Sequence, residues 1–409
     1  MGNFSIPLSG LKATSVALNT IGNNLANLNT TAYKGQTTTF EDLFYQQIGE
    51  SGSGNAIQIG AGTKVSGTNT DFTGGNLLPT TDSKDMALAG NGFFVIQQGG
   101  VQALTRAGNF QLNSVGNLIT IDGAQVMGYP AVNGVVNQNT SLSPITIPVG
   151  VNESAQATQN FSVTSNLNSG ATTGTQFSTP VQIFDSLGQS HQATVSYTKT
   201  GTNTWGYSVD LPPGDFTGAA SNNTGTLTFD TSGKLVTPSG SVSGISFAGL
   251  TDGASDLSFN WNLNDSSGNP TVAQLSAASS NNAAIQDGFA SGVYQSFTAD
   301  SSGVITAKFS NGHTETIGQM AVATVSNPQG LTATGNNNFT TTAASGLASV
   351  GVAGAGGRGI LDDNALEQSN VDISSEFANL IVAQRAFEAN SKTVTTFDTV
   401  TQDTLSMIR

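Results

Sequence analysis

The side chains best suited to acid–base chemistry in this sequence are its two histidines, His191 and His313. Both lie in segments predicted to be strands or turns. No spacing of serine, histidine and aspartate along the chain indicates a nucleophilic triad, although such groups can also meet only in the folded protein. The sequence therefore predicts no catalytic residue, and we expect the protein not to be an enzyme.

Other patterns resemble ligand sites but have simpler interpretations. The glycines of segment 347–359 formally satisfy a dinucleotide-binding pattern, yet no helix opens directly after them and no βαβ unit surrounds them. Segments 230–233 and 300–303 lack the alternating acidic ligands and final Glu of a calcium loop, so hairpin turns explain them. Trp205 and Trp261 are interpreted as packing residues. We therefore expect a linker at 347–359, no cofactor-binding residue and no metal site.

Composition excludes several classes of protein. The 409 residues include 12 basic and 26 acidic side chains, which give a formal charge of −14. The basic residues are scattered, whereas nucleic acid requires a clustered basic surface. The chain has no cysteine, so disulfides and thiolate metal sites are excluded. No stretch is apolar enough to span a bilayer, and the N-terminus lacks the pattern of a cleaved signal peptide.

The last forty residues carry an apolar stripe with a period of seven, which is the seam of a helix that lies against another helix. Asp372 is placed to cap the start, and a helix from there to Ile408 would be about 55 Å long. A β-branched run at 393–396 lowers its intrinsic stability. The members of this stripe are Ile373, Phe377, Leu380, Ile381, Phe387, Val394, Leu405 and Ile408.

A matching stripe lies at the other end of the chain. Pro7 falls in the first turn of this helix, where its missing amide proton costs nothing, and the run 29–31 ends the helix. Its members are Phe4, Leu8, Leu11, Leu18, Ile21, Leu25 and Leu28. Either stripe alone would fit a core helix of an ordinary domain. Together they indicate an antiparallel terminal pair whose outer faces meet other subunits.

The middle of the chain predicts β-structure. Strands with turns at glycine-rich points extend from 64 to 149 and resume from 293 to 325. The block 150–288 has longer polar stretches and forms a separate set of strands. The apolar cluster within 33–49 fits either a short core element or an anchor to a neighbour, and 50–62 is rich in Gly and Ser, which indicates a flexible connection.

Both ends of the chain carry motifs that resemble one family. The stretch 8–35, LSGLKATSVALNTIGNNLANLNTTAYKG, resembles the N-terminal signature of the bacterial flagellar axial family of rod, hook and hook-associated proteins. The stretch 365–394, ALEQSNVDISSEFANLIVAQRAFEANSKTV, resembles the C-terminal signature, most of all that of the hook members. Ala32 stands where the family usually has Gly, which predicts a less extreme backbone angle, and Phe387 stands where many members have Tyr.

The resemblance implies an α+β, multidomain fold, with a terminal helical coiled-coil-like rod and two mainly-β domains, the second inserted in the first. We expect residues 1–30 with 370–409 to form the helical domain and 31–63 with 345–369 to form connecting segments. We expect 64–149 with 289–344 to form the first β domain and 150–288 the inserted outer β domain.

The resemblance also implies a function. Identical copies would make head-to-tail contacts that do not close and so build a helical tube, a curved joint that transmits torque from rod to filament. The two stripes would be the assembly residues. The implied partners are other copies of the chain, the flagellar rod, hook cap and hook–filament junction proteins, and the flagellar export apparatus. The implied location is the extracellular flagellum, reached without a cleaved signal peptide.

Two alternatives remain at this point. A distal rod subunit would share the terminal motifs, although rod members are usually much shorter because they lack the inserted domain. An extracellular β-rich adhesin or glycosidase would explain the middle of the chain but not the paired stripes.

Overall fold

The computed structural model describes residues 5–407, with two α-helices near the ends of the chain and β-strands between them. The helices are α1 (Ser5–Ala26) and α2 (Ile373–Met407), and Pro328–Gly330 forms a single 3₁₀ turn. The predicted α+β fold class is confirmed. No helix in the described part of the chain is both long and apolar enough to cross a membrane.

The described chain divides into two compact units. Unit 1 comprises 5–149, 296–307 and 315–407, and unit 2 comprises 150–295 and 308–314. The strands before residue 150 are β1 (Gln36–Asp42), β2 (Tyr45–Glu50), β3 (Ala56–Gly60), β4 (Thr63–Thr70), β5 (Leu77–Pro79), β6 (Met86–Ala89), β7 (Phe93–Gln98), β8 (Val101–Thr105), β9 (Gln111–Leu112), β10 (Leu118–Ile119), β11 (Gln125–Val132), β12 (Val135–Val136) and β13 (Ser143–Pro144).

The next strands belong to unit 2 and are β14 (Asn152–Glu153), β15 (Asn160–Asn168), β16 (Gln176–Phe184), β17 (Ser190–Gly201), β18 (Thr204–Asp210), β19 (Ala220–Ser221), β20 (Thr224–Phe229), β21 (Leu235–Thr237), β22 (Ser241–Phe247), β23 (Leu257–Asn262), β24 (Val272–Leu275) and β25 (Ser280–Gln286). The remaining strands are β26 (Gly292–Ala299), β27 (Val304–Phe309), β28 (Thr314–Met320), β29 (Val322–Thr324), β30 (Thr332–Gly335), β31 (Asn338–Thr340), β32 (Ser349–Gly351), β33 (Ile360–Asp363) and β34 (Ala365–Glu367).

The core of unit 1 is a β-sheet around β7, whose apolar run was visible in the sequence. Strands β28, β11, β7, β8, β31 and β30 are neighbours in that order. Phe93 packs edge-to-face with Phe72 and Phe339, with ring centroids 5.7 and 5.8 Å away. Two short pairs, β33 with β6 and β34 with β5, bring the segment before α2 back to this unit.

Unit 2 has two sheets with a shared apolar core. One sheet has the order β16, β17, β18, β20, β21, and the other has β19, β22, β23, β15, β24, with β25 also paired to β15. Buried and less buried residues alternate along β15 and β17, as expected for strands with one face in a core. Trp205 and Trp261 are both fully buried, which agrees with their interpretation as packing residues.

Two sequence expectations about chain flexibility are wrong. Segment 50–62 contains β3, which pairs with β2 from Tyr45↔Gly60 to Glu50↔Ala56, so it forms a hairpin. The linker expected at 347–359 contains β32, which pairs with β29. At Gly108 and Gly128 a Cβ would overlap a neighbouring carbonyl oxygen, so close backbone approach requires these glycines.

The expectation of a less extreme backbone angle at Ala32 is also wrong. Ala32 has φ +55°, in the left-handed region that its glycine counterpart would favour. Its amide donates to the Glu367 carbonyl oxygen at 2.8 Å, and the side chain is buried. The surrounding contacts therefore impose a conformation that alanine disfavours. Helix α1 also ends at Ala26, before the predicted run 29–31.

Candidate subunit interface

The two helices lie against each other in antiparallel orientation. Gly10 faces Asn390, and the Asn24 side-chain amide donates to Glu376 at 3.1 Å. In both pairs the residue numbers add to 400, so the helices run in opposite directions with a fixed register. By this register Ser5 lies level with Thr395, and α2 continues beyond α1 for about three turns.

The contact between α1 and α2 is made by small side chains. Ala13 and Ala17 are buried on α1, and Ala383, which the register places opposite Ala17, is buried on α2. A Cβ at Gly10 would come within 2.9 Å of the Asn390 side chain. The backbones approach closely because these residues lack bulk, and the larger apolar side chains are therefore displaced to the flanks of the contact.

The structure places the predicted assembly residues on those flanks. Phe4 and Ile408 lie outside the described residues. The partly buried members are Leu11, Leu18, Ile21, Leu25, Leu28, Leu380 and Val394. The exposed members are Leu8, Ile373, Phe377, Ile381, Phe387 and Leu405, with 38–62% of each residue accessible. Apolar surface of this extent on one helix pair is typical of a surface that meets a partner.

The β2–β3 hairpin adds a second group of exposed apolar side chains. Phe44, Tyr45, Ile48, Ile57 and Ile59 are all exposed there. The cluster at 33–49 had pointed to part of this group, whereas the two isoleucines of β3 were missed because they lie in a Gly- and Ser-rich segment. Alternation of Ile57 and Ile59 with polar neighbours was the signal that could have revealed the strand.

A groove of about 360 Å³ lies between α1, β1 and α2. Ile21, Phe40, Val382 and Ala383 contribute its apolar lining. On α2 the lining comes from Asn379, Val382 and Ala386, which lie on the other side of the Ala383 contact from the exposed stripe. Both features lie in unit 1.

Asn24 fixes the geometry at one end of this groove. It is 2% exposed, its amide donates to the Gln36 carbonyl oxygen at 2.7 Å, and its Oδ1 accepts from the Gln36 amide at 2.9 Å. The Tyr33 hydroxyl also lies 3.3 Å from Oδ1. Together with the bond to Glu376, these contacts tie α1 to the start of β1 and to α2. A buried amide with all its groups bonded rigidifies such a junction.

A buried ion cluster connects Glu367 of β34, shortly before α2, with Lys34, shortly after α1, and with Arg106, directly after β8. Glu367 accepts from Lys34 Nζ at 2.6 Å, from Arg106 Nε at 2.9 Å and from the Gly75 amide at 2.9 Å. All three charged side chains are at most 4% exposed. Burial alone would raise the pKa of Glu367, but Arg106 and Lys34 outweigh burial and hold it below its ordinary value.

Arg106 has a partner for every donor. Its remaining N–H groups donate to the carbonyl oxygens of Gly90, Gly92 and Leu88 at 2.8–3.1 Å and to Glu367 at 3.2 Å. Sequence reasoning missed this cluster because its members are far apart along the chain. The available signal was that Lys34 and Glu367 each stand inside one of the two quoted family motifs.

Both ring nitrogens of His191 contact carboxylates, so His191 is not part of a Ser–His–Asp triad. Its Nε2 lies 2.9 Å from Asp185 and its Nδ1 lies 3.0 Å from Asp215. Neither ring nitrogen is left to activate a serine hydroxyl. His313 contacts Glu153 through Nδ1 at 2.6 Å and stacks on Phe289. Atoms of Asp185, His191 and Asp252 lie within 4.8 Å of one another, and the short contacts are hydrogen-bond distances, so we interpret the group as an ion-pair cluster.

Family models match four segments of the chain. Four family models match: Flagella basal body rod protein at 6–34, Flagellar hook protein FlgE/F/G D1 domain at 87–166, Flagellar basal body protein FlaE D2 domain at 166–289 and Flagellar basal body rod FlgEFG protein C-terminal at 363–407.

Full-length relatives and a solved structure agree with these models. The flagellar hook protein FlgE of Escherichia coli K12 is 34% identical over 97% of this chain and 98% of its own length. The FlgE of Treponema pallidum is 31% identical over 98% of each chain. The crystal structure of Helicobacter pylori flagellar hook protein FlgE2 superposes with a TM-score of 0.57 at 17% identity, covers 71% of this chain and all of that one, and shows a shared fold. The chain therefore belongs to the flagellar hook protein family, FlgE.

Proposed function

We propose that this hook subunit polymerises through the outward-facing apolar side chains of α1 and α2. The proposal rests on one observation about the helix pair. Small residues make the contact between α1 and α2 within the chain, and large apolar residues flank that contact. Phe377, Ile381 and Leu405 are each at least half exposed. Because head-to-tail contacts between identical copies do not close, they generate a helical tube.

The length of α2 supports this proposal. In this register, none of the described residues of α1 lies opposite 400–407. Isolated helical segments are marginal in water, so this extension would gain most of its stability from neighbouring copies. The groove lined by Phe40 and Val382 is a suitable receptor for apolar side chains of a neighbour.

We also propose the domain division 1–30 with 370–409, 31–63 with 345–369, 64–149 with 289–344, and 150–288. The boundary between units 1 and 2 near residue 150 supports the last of these. At that boundary β14 pairs with β26, from Asn152↔Val293 to Glu153↔Gly292, so the chain enters and leaves unit 2 through adjacent strands. In our proposal this outer domain adjusts curvature, and the helical domain holds the tube.

The proposed partners are other copies of this chain, the rod, hook cap and hook–filament junction proteins, and the flagellar export apparatus. We propose export as an unfolded chain through the flagellar export apparatus, without a cleaved signal peptide. The absence of cysteine is compatible with passage through a narrow channel, because no disulfide can form in the chain. The family is that of a structural protein, and we propose that this chain acts without catalysis.

The test compares two aspartate variants with a matched control. Phe377→Asp and Ile381→Asp place a charge on the proposed contact surface. Ala378→Asp places the same charge on an exposed neighbouring position, about 100° around the helix from Phe377 and about 60° from Ile381. Because the first two side chains are exposed in the single chain, the variants should fold normally. A carboxylate left unpaired in an apolar contact costs several kcal/mol, and every copy repeats it.

Sedimentation and electron microscopy of the purified chains provide the measurement. We expect Phe377→Asp and Ile381→Asp to lose polymer while Ala378→Asp retains most of it, with equal far-UV circular dichroism for all three. Normal hooks from both stripe variants would refute the proposed surface.

A further inference from the structure

His191 of unit 2 has a carboxylate on each side of its ring. Nε2 lies 2.9 Å from Asp185 Oδ2 and 3.5 Å from Asp252 Oδ2, and Nδ1 lies 3.0 Å from Asp215 Oδ2. The histidine and Asp185 are buried, whereas Asp215 and Asp252 are partly accessible at their side chains. This cluster lies outside the proposed assembly surface.

A neutral imidazole cannot satisfy both sides of this arrangement. It carries one N–H, so one ring nitrogen would present a lone pair to a carboxylate oxygen. An imidazolium donates from both nitrogens and also balances part of the negative charge. Asp185 is positioned independently of the ring, because its Oδ1 accepts the amides of Leu187 and Gln189 at 2.8 and 3.0 Å.

The three carboxylates come from three different connections of unit 2. Asp185 lies in the turn between β16 and β17, Asp215 follows β18, and Asp252 follows β22. Strands β16, β17 and β18 belong to one sheet and β22 to the other. The two loops also bond to each other, since the Thr251 amide donates to the Asp215 carbonyl oxygen at 3.0 Å.

We propose that doubly protonated His191 is a clamp that fastens the loops 211–219 and 248–256 to the β16–β17 turn. When the ring loses one proton, one of its carboxylate contacts must open, and the loops loosen at this end of the two sheets. The charged groups that contact His191 are Asp185 from its own hairpin, Asp215 from the loop after β18 and Asp252 from the loop after β22.

The direction of the pH effect follows from the contacts. Burial alone would lower the pKa of His191, but the hydrogen bonds to Asp185 and Asp215 outweigh burial and hold it above the ordinary value of 6.5. A raised pKa in the folded state gives stability that is complete below pH 6.5 and is lost as pH rises through the folded pKa. The clamp should therefore be closed in mild acid and open in base.

Ring nitrogen NMR on the full-length chain tests the protonation state directly. With only two histidines, the spectrum of ¹⁵N-histidine-labelled protein is assigned by His313→Gln. We expect both nitrogens of His191 to carry protons at pH 6.5, with a midpoint above that value. Asp215→Asn removes one charged acceptor and should lower the midpoint. A bare Nε2 at pH 6.5 in metal-free wild-type protein would overturn the proposal.

Tryptophan fluorescence and amide exchange test the clamp itself. Both tryptophans lie in unit 2, so their thermal transition reports this unit. The unfolding temperature of wild type and His313→Gln should fall as pH rises above 6.5, and amides of the two loops should exchange faster. His191→Gln should lack that fall and exchange quickly at all pH values. Identical pH profiles for wild type and His191→Gln would refute the clamp, as would a zinc-dependent stabilisation of wild type that His191→Gln loses.

Discussion

Glu367→Gln isolates the contribution of the buried ion cluster in unit 1. The substitution keeps the size of the side chain but removes the negative charge, so Lys34 and Arg106 remain buried without a counter-charge. Loss of one member of a buried ion pair costs about 3–5 kcal/mol. At roughly 2–4 °C per kcal/mol for a unit of this size, the unfolding temperature of unit 1 should fall by about 6–20 °C.

The assay separates the two units by their spectroscopic signals. Trp205 and Trp261 are both in unit 2, so fluorescence follows unit 2, whereas calorimetry follows the whole chain. Glu367→Gln should lower a calorimetric transition and leave the fluorescence transition unchanged. Glu41→Gln is the matched control, because Glu41 forms an exposed pair with Lys64 in the same unit and should change little.

The pH dependence gives an independent check. Since the pKa of Glu367 is lowered in the folded state, its stabilisation is present above the ordinary value of 4.5 and is lost as pH falls through the folded pKa. The difference between wild type and Glu367→Gln should therefore be largest above pH 4.5 and should shrink at lower pH. A Glu367→Gln chain that unfolds within 1 °C of Glu41→Gln at pH 7 would refute the reasoning.

Two further outcomes are expected. Replacement of 150–288 by a short Gly/Ser linker should still allow polymerisation but change hook curvature and stiffness in electron micrographs. The β14–β26 pairing shows that the two ends of the replaced segment lie close together, so a short linker can join them. Loss of polymer from a folded, exported fragment would contradict this. Gly108→Ala should destabilise unit 1 by several kcal/mol in denaturant titrations, because the new Cβ would overlap the Met86 carbonyl oxygen. Gly67→Ala is the control and should be close to neutral, since there is open space around Gly67. Equal unfolding midpoints for the two variants would contradict the close backbone approach at Gly108.

The sequence predicted the helices well because a seven-residue apolar period is a local pattern. It did not predict which side chains would meet within the pair. The period marks where apolar surface lies on a helix, whereas Ala17 and Ala383 make the actual contact because their small size allows close approach. The stripe was predicted to be the seam between the helices, but its large residues flank that contact instead, and their role in assembly remains a prediction.

Strands were predictable where apolar residues alternate or cluster, as in β7 and β17. The β2–β3 hairpin was not, because Gly and Ser around residues 51–54 hid two short strands that contain exposed apolar residues. The cluster of Lys34, Arg106 and Glu367 depends on contacts between segments separated by up to 333 residues. Local pattern carries no information about such contacts, and the same is true of His191 and its three carboxylates.

Cryo-EM helical reconstruction of hooks assembled from the full-length chain tests the central claim most directly. The account predicts that Phe377, Ile381 and Leu405 are buried against α1 or α2 of neighbouring copies, with the pairing of Gly10 and Asn390 preserved within each chain. A reconstruction in which these side chains remain exposed to solvent, while unit 2 makes the contacts between copies, would contradict it.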